Sequence, residues 1–151
     1  MVTLHCSAAN APVIPQELDI YVGNAVLGAW HVRLHDHSLI CSLEANGRAD
    51  RSESPVTPSE EQWRAFRASL DRLHIAQWQR DYPNPGEVMD GTQWHIQIVY
   101  PDRVLKLHGD NNFPDGDGKA NSDPQWTPTF REFVRSLKTL LAAGSCFPKD
   151  L

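Results

Sequence analysis

The chain has 151 residues and a formal net charge of −5, with 14 basic against 19 acidic residues. Hydrophobic residues make up 40% and charged residues 22%, a balance that excludes a disordered chain. No apolar run reaches the roughly 20 residues of a membrane helix, and the acidic balance speaks against direct nucleic-acid binding.

Residues 1–16 are rich in Ala, Pro and Asn and read as a loose leader; no basic n-region precedes an apolar run, so no signal peptide is expected. A single domain is expected over residues 17–144, with 145–151 as a tail. The three cysteines, Cys6, Cys41 and Cys146, are odd in number and form no CxxC pair. A reducing cytoplasm is the simplest compartment for such a pattern.

Leu18, Ile20 and Val22 alternate with Asp19 and Tyr21, giving a first strand. Trp30, Val32 and Leu34 then face one way, and His31, Arg33 and His35 the other. A two-residue turn at Asp36-His37 sets Leu34 opposite Leu39, Val32 opposite Cys41 and Trp30 opposite Leu43. A slip of one residue would turn half of these side chains to the wrong face. Asn46-Gly47 supplies the next turn, and Asp50 to Val56 reads as a polar loop.

Thr57-Pro58-Ser59-Glu60 predicts a helix start, with Thr57 as N-cap, Pro58 at N1 and Glu60 closing a capping box. Trp63, Phe66, Leu70 and Leu73 form its apolar stripe, over about residues 58–74. Ile75 to Tyr82 reads as a short strand. Trp94-His95-Ile96-Gln97-Ile98 then echoes Trp30-His31-Val32-Arg33-Leu34 at an offset of 64. A turn at Pro101-Asp102 pairs Ile98 with Leu105, Ile96 with Leu107 and His95 with His108. Thr127-Pro128 opens a second helix, whose Phe130, Phe133, Leu137 and Leu140 repeat the first stripe at an offset of 67, and Gly144 suits its C′ position. This ββα grammar is either a duplicated unit or the pattern that any hairpin followed by a helix imposes. The fold class is α+β: one antiparallel sheet from two hairpins plus short strands, with two amphipathic helices on one face.

His31, His35 and His37 cluster around Arg33, whose fixed charge opposes a cation, so they read as sheet-face and turn residues. His95 and His108 lie across a hairpin and could form half of a metal site, completed by Asp90 or Asp110. His74 closes a helix, where a cation suits the dipole. Asp115 to Asp123 resembles a calcium loop of the EF-hand or dockerin kind over about nine residues, but Phe113 and Pro124 fall where end ligands belong. No GxSxG, HExxH or GxxxxGK[ST] motif occurs, so no catalytic residue, metal or cofactor is assigned.

Trp78, Tyr82, Asp90-Gly91-Thr92-Gln93-Trp94, Gly109-Asp110-Asn111 and Pro114 form a pattern W…Y…DGxxW…GxNxxP ahead of an amphipathic helix. Over about residues 60–141 it resembles small uncharacterised bacterial proteins. The resemblance implies a fold and no activity.

Charge is the remaining guide. Residues 81–91 and 110–123 each carry a net −3 and flank the second hairpin at one end. The leading expectation is therefore a small acidic binding module or inhibitor that docks on a basic protein surface, such as a nucleic-acid-binding protein or a toxin. Phage counter-defence (anti-CRISPR) and toxin-immunity proteins are of this kind. Asp90, Asp110, Asp115, Asp117 and Asp123 would form its surface, with Trp78 and Tyr82 as apolar anchors. The alternative is a metal-binding domain or metal-dependent enzyme using His95, His108 and nearby acids. A third reading is an accessory domain whose acidic loops serve solubility.

Overall fold

The computed structural model describes residues 11–24, 28–46, 48–50, 55–86, 91–121 and 125–148. It is an α+β fold built on one mixed, mostly antiparallel sheet of seven strands in the order β4-β3-β2-β1-β6-β7-β5. The strands are β1 (Glu17–Asn24), β2 (Gly28–His35), β3 (Ser38–Ala45), β4 (Arg48–Asp50), β5 (Asp81–Tyr82), β6 (Gln93–Tyr100) and β7 (Arg103–Asp110). The helices are α1 (Glu60–Arg72) and α2 (Pro128–Leu141).

Both hairpin registers follow from the alternation of apolar residues. Leu34 pairs with Leu39, Val32 with Cys41 and Trp30 with Leu43. Ile98 pairs with Leu105, Ile96 with Leu107 and His95 with His108. Asp36 and His37 have φ of 47° and 68°, the positive values that let a two-residue turn follow the strand twist. β1 joins the hairpins, pairing antiparallel with β2 on one side and β6 on the other. Val22 faces both Trp30 and Trp94, and Tyr21 faces both His31 and His95. The echo between Trp30-His31-Val32 and Trp94-His95-Ile96 thus marks two strands in equivalent positions about β1.

One face of the sheet carries Leu18, Ile20, Val22, Val32, Leu39, Cys41, Trp94, Ile96, Ile98, Leu105 and Leu107, all buried. Trp63, Phe66 and Leu70 of α1 join Phe130, Phe133, Leu137 and Leu140 of α2 in the same core, with Trp30, Leu34 and Leu73 partly buried against it. Both helices therefore cover a single face, as amphipathic patterning requires.

Four local expectations need correction. α1 starts at Ser59 rather than Thr57: Ser59 Oγ accepts from Gln62 N at 3.1 Å, and Gln62 Oε1 accepts from Ser59 N at 2.8 Å. Two capping boxes overlap in the sequence, and the second is used, while the Thr57 hydroxyl meets Ser38 Oγ. Residues 75–82 do not form one strand. His74 turns left-handed (φ 53°), Ile75–Gln77 form a 3-10 turn, and only Asp81–Tyr82 pair, parallel to β7. The Trp78 indole donates to Leu73 O at 3.0 Å and folds this segment back on α1. β4 extends the first hairpin past the Asn46-Gly47 turn, and of the loop expected from Asp50 to Val56 it takes in Asp50. Finally, α2 ends in a 3-10 turn at Ala142–Gly144, with Ala142 and not Gly144 at its C-cap. Gly47 of the Asn46-Gly47 turn lies outside the described residues.

The chain ends are tied down where described. Val13 packs on the core, and the Pro12 carbonyl accepts from Arg67. Arg67, 5% exposed, also forms a two-pronged ion pair with Asp102 at 2.9 and 2.7 Å and sits over the Tyr100 ring. Its hydrogen bonds to Asp102 outweigh burial and raise its pKa further. Burial pushes the Tyr100 hydroxyl up to about 12. At the other end Cys146 bonds to Cys41, and Phe147 stacks on Trp30. This pair is not readable from the sequence, because spacing does not specify pairing.

The described residues of the W…Y…DGxxW…GxNxxP pattern include several that pack the fold. A Cβ on Gly109 would lie 2.3–2.6 Å from the Trp94 indole, which instead lies flat on the strand and donates to Asn112 O at 2.9 Å. The Asn111 side chain accepts from Thr92 N, and Asn112 donates to Pro83 O. Gly109→Ala should therefore cost about 1–3 kcal/mol through overpacking. Urea unfolding checks this, and a cost near zero would mean that Trp94 has room to move.

Candidate functional site

The uncovered face of the sheet gathers the titratable side chains. On β1, Asp19 and Tyr21 project from it because they alternate with buried Leu18, Ile20 and Val22. His31 and His95 flank Tyr21 on the neighbouring strands, and both reach diagonally to Asp19. His31 Nε2 lies 2.8 Å and His95 Nε2 2.7 Å from the same oxygen, Asp19 Oδ1. The other ring nitrogen of His31 lies 2.8 Å from Glu44 Oε1 on β3. A chain Glu44–His31–Asp19–His95 thus crosses four adjacent strands. His31 is its most buried member, with its side chain 14% exposed, against 40% for Asp19 and 44% for His95.

Tyr21 packs against both imidazoles, which also meet each other edge-on (6.1 Å, 88°). Its ring stacks on His95 (5.7 Å, 13°) and meets His31 edge-on (5.7 Å, 79°). Burial, with the Glu44 charge nearby, raises the Tyr21 pKa, so it stays a neutral phenol. Burial works against ionisation of Asp19, but the hydrogen bonds from His95 and His31 outweigh it and lower its pKa. Its contribution to stability is then complete above the ordinary carboxylate range and is lost as pH falls through the lowered value.

A depression of about 430 Å³ continues this face toward β7 and β5, lined by Tyr21, Gln93, His95, His108, Asp81 and Asp110. His108 faces His95 across the hairpin as expected, but its Nε2 pairs with Asp81 Oδ1 at 2.9 Å and takes no part in the Asp19 cluster. The half metal site considered at His95 and His108 does not form: His95 turns to Asp19, on the opposite side. His35 is exposed beside Asp36, and His37 lies in the turn.

Asp110 is half-buried at the end of β7, and Asp115 and Asp117 are exposed. Gly118, beside them, accepts from the Tyr82 hydroxyl, so the Asp115–Asp117 turn sits by β5 at the same edge of the sheet as Asp81. Backbone hydrogen bonding from Lys119 lowers the Asp117 pKa. Asp90 and Asp123 lie outside the described residues. Trp78 and Tyr82 are not surface anchors: they are 5% and 0% exposed, and each spends its polar atom on a backbone carbonyl. Among the described residues, Asp19, His31 and His95 are the cluster with metal-ligand geometry; the calcium-like loop contributes none.

Asp19 and Glu44 carried no signal in the sequence analysis. The clue lay in the offset of 64, which sets His31 and His95 on either side of one residue once β1 is placed between the hairpins. No protein-family model matches the chain, and no curated protein is significantly similar to it. No helix among the described residues is long and apolar enough to cross a membrane.

Proposed function

We propose that the chain is a small acidic binding module that docks on a basic surface of a partner protein. The observation that carries this reading is the depression bordered by Asp81 and Asp110, next to the exposed Asp115–Asp117 turn. Two carboxylates at the rim of a pocket with a tyrosine wall suit a Lys or Arg side chain, whose stem packs on the ring while its head meets the acids. The overall charge of −5 favours a protein partner over nucleic acid.

A cytoplasmic location was expected from the cysteine pattern, and the Cys41–Cys146 bond weighs against it, since such bonds persist in oxidising compartments. Of the two kinds of module, a toxin-immunity protein of an oxidising compartment accords better with that bond than an intracellular phage counter-defence protein.

Asp110, Asp115 and Asp117 changed together to Lys should weaken capture of the partner while leaving the fold intact, because the exposed Asp115 and Asp117 charges contribute little to stability and Asp110 is only half-buried at the end of β7. Association of the wild type should slow as salt rises, the Debye length being about 8 Å near physiological ionic strength. The check is a pull-down from the native host, followed by association rates for both proteins. Equal capture by the wild type and the triple variant would remove this surface from the interface.

A further inference from the structure

We propose that Asp19, His31 and His95 form a binding site for one divalent first-row transition-metal ion, with Zn2+ as the natural probe, at the centre of the open sheet face. Their ligand atoms all lie within 4.8 Å of one another. Two imidazoles and one carboxylate are a donor set for zinc or iron, and three protein ligands leave a coordination position open.

The proton inventory of His31 points the same way. Both of its ring nitrogens face carboxylate oxygens at 2.8 Å. A neutral imidazole has one N–H, so it cannot donate to both. The two contacts are satisfied together by a second proton on the ring, by a proton on one of the carboxyl groups, or by a metal ion in place of the Nε2 proton. With the metal in place, Nδ1–H donates to Glu44 and Nε2 is left as the ligand. A carboxylate behind a ligating histidine is the usual outer-sphere support, fixing tautomer and ring orientation.

Charge balance agrees. Asp19 and Glu44 together supply two negative charges, which a divalent ion cancels. Arg33 is the register partner of Asp19, yet it is exposed and forms no ion pair among the described residues, so its charge stays in solvent. The oxygen–nitrogen spacings of 2.7 and 2.8 Å are those of hydrogen bonds. Tetrahedral ligands at zinc distances lie about 3.3 Å apart, so an ion needs the group to open by about half an ångström. Half-exposed Asp19 and His95 side chains can make that adjustment without moving the strands.

The site shares His95 with the depression bordered by Asp81 and Asp110, but its test reads metal binding rather than docking and so separates the two. Full-length protein, stripped with a chelator, is titrated with Zn2+ against a chromophoric competitor. Saturation at one equivalent is expected. Imidazole NMR of the wild type should then show His31 and His95 shifting, with the other five histidines unchanged. Asp19→Asn, His31→Gln and His95→Gln should each abolish stoichiometric binding, while His35→Gln and His108→Gln should retain it. Glu44→Gln should weaken affinity about 10–100-fold without changing the stoichiometry. The wild-type NMR and the Glu44→Gln titration decide the matter even where a ligand variant fails to fold. Binding that does not saturate at one equivalent, unmoved His31 and His95 signals, or a loss in His108→Gln as large as in His31→Gln would overturn the proposal.

Discussion

Leu137→Ala should lower the unfolding free energy by about 2–5 kcal/mol, the range for a large aliphatic side chain removed from a packed core. Leu137 is fully buried near the middle of α2, with Phe130, Phe133, Val134, Leu140 and Leu141 on the same buried side. Phe133 also meets Trp78 edge-on, and Phe130 packs on Trp94 and Phe113, so the buried side of α2 carries large rings as well as Leu137. Val104→Ala on the outer face of β7 is the control. Val104 is 66% exposed, and its loss should change stability by less than about 0.5 kcal/mol. Chemical denaturation of both variants reads the difference directly. A cost below about 1 kcal/mol for Leu137→Ala would mean that the α2 stripe is not packed on the sheet.

The hairpin registers and helix stripes were legible because each is a short-range rule. Period-two alternation leaves one choice of pairing for Val32 with Cys41 or Ile96 with Leu107, and period 3.6 leaves one face for Trp63, Phe66 and Leu70. What the chain does not spell out locally was missed. The placement of β1 between the hairpins is a long-range choice, and the Asp19–His31–His95 cluster exists only after that choice is made. Trp78 and Tyr82 look like anchors in a list of residues; burial in the tertiary fold decides otherwise. Overlapping capping boxes at Thr57 and Ser59 obey the same local rule, so only packing picks one. Cys41 and Cys146 are 105 residues apart, beyond the reach of any local pattern.

The Cys41–Cys146 bond leads to the second large effect. It closes a loop of 105 residues that leaves out β1 and β2. Loop-closure entropy predicts about 4.7 kcal/mol for a loop of this length, and measured losses for native bonds run at about 2–5 kcal/mol. The bond joins Cys41, buried in the middle of β3, to the segment after α2, next to the Phe147 ring on Trp30. Cutting it frees residues 145–148 and leaves Trp30 with less cover, so loss of packing adds to the entropy term. Cys146→Ala should therefore lower the melting temperature by on the order of 10 °C, using about 2–4 °C per kcal/mol for a chain of this size. Reductant should produce the same fall in the wild type and no further fall in the variant. Peptide mapping without reductant should recover Cys41 linked to Cys146, with Cys6 outside the pair. A melting temperature indifferent to reductant would assign the fold's stability to the core alone and return the chain to a reducing compartment, and Cys6 found in the crosslink would overturn the Cys41–Cys146 pairing.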